Sequence, residues 1–305
     1  MPSAYRYLFG PVPSRRLGRS LGIDVTPFKT CSFDCVFCQC GCTTRLVMER
    51  EELVPIEEIC AEIEQWLKED GKADCITFAG SGEPTLYSRL GELIDFIKAR
   101  TALPVIVLSN GSLLHRIAVR DELLKADIVK VSLSAWDDAS FKMINRPVPG
   151  LSFEQLLAGQ RDFRNVFAGK LWIEVFLLDG INAAPEQVKK IAAVAAEIRP
   201  DKIHLNTSVR PPAEAAARPV AKEKLEALCA LFSPQAEVIA SFTADAGSAA
   251  GLNVEKLIDL IRRHPSTAGQ LAGSFGVTPA TIIPLLSDPR LQIEVRGGET
   301  YYKCR

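Results

Sequence analysis

The chain has no excess of charge of either sign. Its 36 lysines and arginines stand against 37 aspartates and glutamates, for a formal net charge of −1. A globally basic nucleic-acid binder is excluded, although net charge averages over the surface and leaves room for a local basic patch. Long apolar runs are also lacking: none reaches the ~18 residues a membrane-spanning helix needs. The opening MPSAYRYLFGPVPSRRLGRS is broken by prolines and arginines and holds no apolar h-region. The chain therefore reads as cytoplasmic, with no membrane partner. Histidine is scarce, and His115, His204 and His264 stand apart from one another, so none reads as a metal ligand. Composition is otherwise ordinary: 47% hydrophobic residues supply enough material for a sizeable core.

What the sequence does have is cysteine. Of nine, five fall close together: Cys31, Cys35, Cys38, Cys40 and Cys42. Without an export signal, such a cluster points to metal rather than to disulfides. Cys60 lies in a helical pattern and Cys75 in a strand pattern, and both read as inert core residues.

Strand-like and helix-like stretches alternate from about residue 20 to 240. Strands are expected at 20–27, 73–80, 104–111, 127–135, 171–180, 202–209 and 236–241. Helices are expected at 55–70, 90–101, 114–125, 138–145, 152–166, 184–198 and 220–232. Alternation of this kind implies parallel βαβ units with right-handed crossovers. Roughly six units are too few to close an eight-fold barrel, so the expected fold is α/β, a partial (βα)6 TIM-like barrel spanning 1–242. Sites in such folds gather at the C-terminal ends of the strands. The glycine-rich 243–253 reads as a linker. Beyond it, helices at 254–265, 266–276 and 278–288, then two strands around a Gly-Gly turn at 291–304, resemble a small winged-helix-like domain over 254–305.

The string Cys31-x3-Cys35-x2-Cys38 carries the chemistry. Three thiolates on one loop hold three irons of a cubane and leave the fourth iron open. An open iron binds an amino group and a carboxylate, as the methionine end of S-adenosylmethionine (SAM) offers. Electron-transfer ferredoxins instead saturate a cluster with four cysteines. The alternative is a zinc site with Cys40 or Cys42 as fourth ligand. Structural zinc usually recruits a second cysteine pair, and none lies downstream. Phe37, directly before Cys38, suits a loop that stacks on an adenine ring.

These residues resemble the radical SAM superfamily over about 6–240. CSFDCVFC matches its CxxxCxxC with the aromatic before the last cysteine; FAGSGEPT resembles its GGE motif, and VLSNGS the end of its third strand. FGPVPSRRLGRSLGID, ITFAGSGEPTL, INRPVPGLSFEQLL and LNTSVRPPAE together resemble a subfamily grouped with wyosine-type tRNA-modifying members. The extra cysteines at 40 and 42 depart from that pattern, and read as bystanders, second-metal ligands or redox groups. The resemblance implies a [4Fe–4S] cluster on Cys31, Cys35 and Cys38, reductive cleavage of SAM, and a 5′-deoxyadenosyl radical that abstracts hydrogen from substrate. It also implies reduced flavodoxin or ferredoxin as electron donor, since nothing reads as a flavin site.

The resemblance further implies that Gly80, Gly82 and Glu83 receive the SAM amino group, glycine allowing close backbone approach and the carboxylate pairing with an ammonium. The other reading of Glu83 is a helix N-terminal carboxylate. Ser109 and Asn110 end the third strand and suit the SAM carboxylate or ribose. Ser132 and Ser134 share one face of the fourth strand; they contact the ribose if that face is interior, or simply fill narrow space. Glu174 lies in an apolar strand and needs a partner or a ligand hydroxyl, unless it faces solvent. Asn206 closes the sixth strand, near Arg210, which suits a substrate carboxylate or phosphate. Arg15, Arg16 and Arg19 suit nucleic-acid phosphate or form a solvated basic surface. The substrate is then a tRNA base, or alternatively a small molecule or peptide. A reading from another class is a metal-cluster regulator touching DNA through its winged helix.

Overall fold

The computed structural model describes residues 5–14, 17–69, 71–239, 252, 254–263, 265–296 and 298–305. Strand β1 (Leu8–Ser14) leads into β2 (Gly18–Ile23). Two short strands, β3 (Thr30–Cys31) and β4 (Arg45–Leu46), then pair in parallel and pinch the base of the cysteine loop. Alternating helices and strands follow: α1 (Ile56–Glu69), β5 (Cys75–Phe78), α2 (Leu90–Lys98), β6 (Val105–Leu108), α3 (Ile117–Leu123) and β7 (Ile128–Ser132). Next come α4 (Asp138–Ile144), α5 (Phe153–Val166), β8 (Lys170–Leu177), α6 (Pro185–Ile198), β9 (Lys202–Thr207), α7 (Lys222–Cys229) and β10 (Glu237–Val238).

The strands order as β1-β2-β5-β6-β7-β8-β9-β10 in one sheet, and every neighbouring pair from β2 to β10 is parallel. Because each crossover steps one strand in the same direction, all strand C-termini from β2 onward lie at one end. β1 and β10 are not paired with each other, so the sheet stays open. In β7, Val129 and Val131 are buried and belong to the main apolar core, while Lys130 and Ser132 alternate onto the other face and are half-buried. Helix starts carry their own polar caps, as where Ser152 and Gln155 close a capping box at α5.

β1 was not expected, because Pro11 and Pro13 argue against a strand. It lies at the edge of the sheet, where a missing N–H is tolerated. The remaining expected strands and helices are found, generally shorter at their ends.

The C-terminal segment is built from α8 (Val254–Arg263), β11 (Ser266–Thr267), α9 (Ala268–Phe275), α10 (Pro279–Ile282), β12 (Leu291–Arg296) and β13 (Glu299–Cys304). Two details differ from expectation. Ser266 and Thr267 pair with Tyr302 and Tyr301 as a strand instead of starting the helix. The helix at 278–288 is α only to Ile282 and continues as a 3-10 turn, since Pro284 has no N–H to give an α-turn. Leu257, Ile258, Ile261, Leu271 and Ile282 form a second apolar core, and Val12 of β1 packs against it. The expected linker at 243–253 falls, apart from Leu252, outside the described residues.

Candidate cluster and cofactor site

The cysteine loop leaves the C-terminal end of β2, and backbone bonds fix its path. Val47 N–H donates to the Cys31 carbonyl at 3.0 Å, Asp34 N–H to the Asn145 carbonyl at 3.1 Å, and Val36 N–H to the Ile144 carbonyl at 3.0 Å. Cys38 N–H closes a turn on the Cys35 carbonyl at 3.1 Å. Cys31, Cys35 and Cys38 are all free thiols.

Each of the three sulfurs has a side-chain N–H aimed at it. Asn110 Nδ2 lies 3.6 Å from Cys31 Sγ, Asn145 Nδ2 lies 3.4 Å from Cys35 Sγ, and Lys29 Nζ lies 3.1 Å from Cys38 Sγ. Donors of this kind suit thiolates. Without a metal, burial pushes the Cys31 thiol up to about 12 and the Cys35 thiol well above its ordinary range. Cys38 is drawn down to about 6 by the hydrogen bond from Cys40 and by the Lys29 ammonium, and Cys40 is pushed up in turn. Three thiolates on one short loop call for metal cations to hold them deprotonated. Among the described residues no three His, Cys, Asp or Glu side chains converge to hold a single metal ion. The donor set fits a [4Fe–4S] cluster, in which the sulfurs ligate three separate irons.

Glu83 is turned inward, 2% exposed. Its carboxylate accepts from Thr85 N–H at 3.1 Å, Thr85 Oγ1 at 2.6 Å, Ser109 Oγ at 2.7 Å and Asn110 N–H at 2.6 Å. It thereby locks the end of β5 to the end of β6 and sets Asn110 against Cys31; burial pushes its carboxyl up against the pull of these donors. The two glycines before it make room for the protein's own atoms. A Cβ on Gly80 would lie 2.2 Å from the Asp24 carboxyl carbon, and one on Gly82 2.0 Å from the Thr30 carbonyl oxygen. Asp24 is 6% exposed and accepts from Ser81 N–H at 3.1 Å and Ser81 Oγ at 2.9 Å.

Further along the sheet, Glu174 on β8 is ion-paired with Lys130 on β7 and accepts from Asn206 Nδ2 on β9 at 3.1 Å. Ser132 lies opposite Glu174 in register. These residues share the face turned away from the buried core positions of β7 and β8, so Glu174 is interior and partnered. Ser134 is buried and accepts from the Phe176 N–H at 3.0 Å, which makes it a tie between strands. Phe37 stacks face to face on Phe176, centroids 4.1 Å apart.

Of Arg15, Arg16 and Arg19, the described residues include Arg19. Arg19 begins β2, at the end of the sheet opposite the cysteine loop, where its N–H donates to Asp74 at 2.6 Å. It is therefore not at the mouth. Arg15 and Arg16 lie outside the described residues. Arg210 is near the loop and donates to Gln39 Oε1 at 3.0 Å. Sequence reasoning missed Lys29 and Asn145, although Asn145 lies within the INRPVPG string. It also missed Arg263 of α8, whose Nε donates to Asp24 at 3.0 Å and whose carbonyl lies 3.4 Å from both Gln39 Nε2 and Cys40 Sγ. Arg296 of β12 likewise reaches the Ala217 carbonyl at 2.7 Å. The C-terminal segment thus rests against the cysteine loop. Cys42 is exposed.

An open, mostly parallel α/β sheet with a three-thiol loop at its strand C-termini defines an iron–sulfur enzyme class. The chain belongs to the radical SAM superfamily, whose family model matches residues 25–218. Members use a [4Fe–4S] cluster and SAM, and the chain is an enzyme of this class, which sets aside the DNA-binding regulator. It is similar to a UPF0026 protein of Methanocaldococcus jannaschii, 37% identical over 74% of this chain and 70% of that protein. It is also similar to a protein of Brachyspira hyodysenteriae named GTPase Obg, 37% identical over 92% of this chain but only 42% of that protein. Among solved structures it resembles TYW1 with a lysine-pyruvate adduct bound, at 19% identity and TM-score 0.55, over 72% of this chain and 74% of that one. A radical SAM methyltransferase from Sphaerobacter thermophilus matches at 20% identity and TM-score 0.52, over 72% and 66%. At these identities the solved structures speak to the fold alone. Among the described residues no helix is long and apolar enough to cross a membrane.

Proposed function

We propose that Cys31, Cys35 and Cys38 hold the [4Fe–4S] cluster and that the enzyme cleaves SAM reductively, using the resulting 5′-deoxyadenosyl radical to abstract hydrogen from a base in tRNA. The observation that carries the first half is the set of three N–H donors, one to each sulfur of the loop. When bound, the cluster supplies one electron to SAM. The chain's own residues bind, orient and exclude water. Asn110, Ser132, Glu174 and Asn206 line the SAM pocket with donors and acceptors, beside the backbone of Gly80 and Gly82. Glu83, Ser109, Ser134 and Phe37 support that pocket from behind. The electron comes from reduced flavodoxin or ferredoxin, in the cytoplasm.

In this reading, residues 1–242 form a partial (βα)6 barrel, 243–253 a linker and 254–305 a winged-helix-like unit. The substrate half rests on the resemblance to wyosine-type tRNA-modifying members and on the position of that unit beside the cysteine loop, where Gln39 and Cys40 meet the Arg263 carbonyl. Those same contacts favour a second reading, a small molecule or peptide, because they narrow the approach to the loop.

EPR of the anaerobically reconstituted, dithionite-reduced protein tests the first half. A [4Fe–4S] signal that changes on adding SAM is expected; zinc without an iron–sulfur signal overturns it. For the substrate, tRNA binding should weaken steeply between about 50 and about 200 mM salt. No tRNA binding at the lower salt leaves the second reading.

A further inference from the structure

Lys29 stands two residues before Cys31 and is 2% exposed. Its backbone takes a left-handed φ of +60°, uncommon for a residue with a side chain. Three backbone bonds hold it there. Lys29 N–H donates to the Ser81 carbonyl at 3.1 Å, while Thr44 and Arg45 N–H both donate to the Lys29 carbonyl, at 3.2 and 3.1 Å. The side chain then runs inward and brings Nζ to 3.1 Å from Cys38 Sγ.

Burying an ammonium without a counter-charge is costly. Among the described residues no carboxylate forms an ion pair with Lys29, and the partner its ammonium reaches is the Cys38 sulfur. A buried cation whose side-chain partner is a sulfur is arranged for an anion that sulfur carries. The three donors are also unequal. Asn110 and Asn145 offer neutral amides to Cys31 and Cys35, while Cys38 receives a charged donor at the shortest of the three distances. Charge-assisted hydrogen bonds are the stronger kind.

Three thiolates around a cubane core leave the assembly negative, and one-electron reduction makes it more so. The potential of such a centre follows its net charge and the hydrogen bonds to its sulfurs. We infer that Lys29 sets the reduction potential of the cluster, its ammonium at the Cys38 sulfur favouring the reduced state. The inference rests on the reading that Cys31, Cys35 and Cys38 carry the cluster. The step is the passage of one electron from an external low-potential one-electron donor, which is oxidised, into the cluster, which is reduced; no bond or proton changes at Lys29.

The test is EPR-monitored potentiometry on the full chain, reconstituted anaerobically with iron and sulfide, without SAM. Lys29→Met should shift the midpoint negative by at least a tenfold change in the reduction equilibrium, about 59 mV for one electron. Lys29→Arg, which keeps the charge, should shift it less. An unchanged midpoint in Lys29→Met at equal iron content overturns the inference and leaves the cluster assignment standing. If Lys29→Met does not retain iron, Lys29→Gln, which loses the charge but keeps an N–H donor, takes its place, and an unchanged midpoint there at equal iron content overturns the inference in the same way. Absence of a [4Fe–4S] signal in the wild-type protein removes the functional reading itself.

Discussion

The two ends of the parallel sheet use side chains in opposite ways. At the N-terminal end a single device recurs. Asp74, Asp127 and Asp201 each directly precede a strand, and each carboxylate accepts the N–H of a residue at the start of the neighbouring strand: Arg19 at 2.6 Å, Val105 at 2.8 Å and Leu171 at 2.7 Å. Each aspartate also returns its own N–H to the carbonyl of that residue, at 2.7, 2.9 and 2.8 Å. Lys98 and Arg164 complete Asp127 and Asp201 from the surface. At the C-terminal end the donors converge on sulfur and on inward-facing carboxylates, and almost nothing repeats. Repetition marks the end that holds strands in register, and irregularity the end that binds, as expected for βα architectures.

The sharpest way to separate the ends is to remove a sulfur. Replacing Cys31, Cys35 or Cys38 by alanine should abolish stoichiometric cluster incorporation, seen as loss of iron, sulfide and the reduced EPR signal. Full iron content in any one of the three would reassign that ligand. Glu83→Ala comes next. It strips the acceptor from four donors in a buried site, a loss of about 3 kcal/mol or more. Because Glu83 also sets Asn110 against Cys31, both the urea midpoint and the cluster yield should fall; a fall in the midpoint alone would confine Glu83 to the strand ends.

The cysteine loop was legible because its chemistry is local: three thiols within eight residues need no partner from elsewhere in the chain to be recognised. The order of strands and helices was legible from periodicity. What escaped were features set by contacts distant in sequence. β1 carries two prolines and becomes a strand only as an edge partner of β2. Lys29 has no pattern of its own, since a lysine in a loop ordinarily faces water. Arg19 lies near the start of β2, so the direction of that strand places it at the end of the sheet opposite the cysteine loop, which its own string does not show. Glu83, Ser109 and Asn110 were each recognised in their own strings, yet that the latter two donate to the Glu83 carboxylate follows from the pairing of β5 with β6 and not from either string.

Asp127→Ala should be the mirror image of Glu83→Ala, with a smaller effect. Val105 N–H loses its acceptor and Lys98 its exposed partner, together about 1–2 kcal/mol. The urea midpoint should drop while iron content and the EPR line shape stay those of the wild type. A change in the cluster signal would show that the two ends are coupled through β6, contrary to the division of labour drawn above.

The smallest effect is expected where the loop's extra cysteines differ from each other. The Cys40 thiol is placed between the Cys38 sulfur and the Arg263 carbonyl, whereas Cys42 is exposed. Cys42→Ala should leave iron content, EPR signal and stability unchanged. Cys40→Ala should also keep the full cluster if, as proposed, Cys31, Cys35 and Cys38 are its ligands, yet it removes a donor from Cys38 and a contact to α8. Its signature is then an altered EPR line shape at unaltered iron stoichiometry. Loss of iron in Cys40→Ala would mean that four thiols of this loop, and not three, hold the metal, and the open iron on which SAM chemistry depends would have to be sought again.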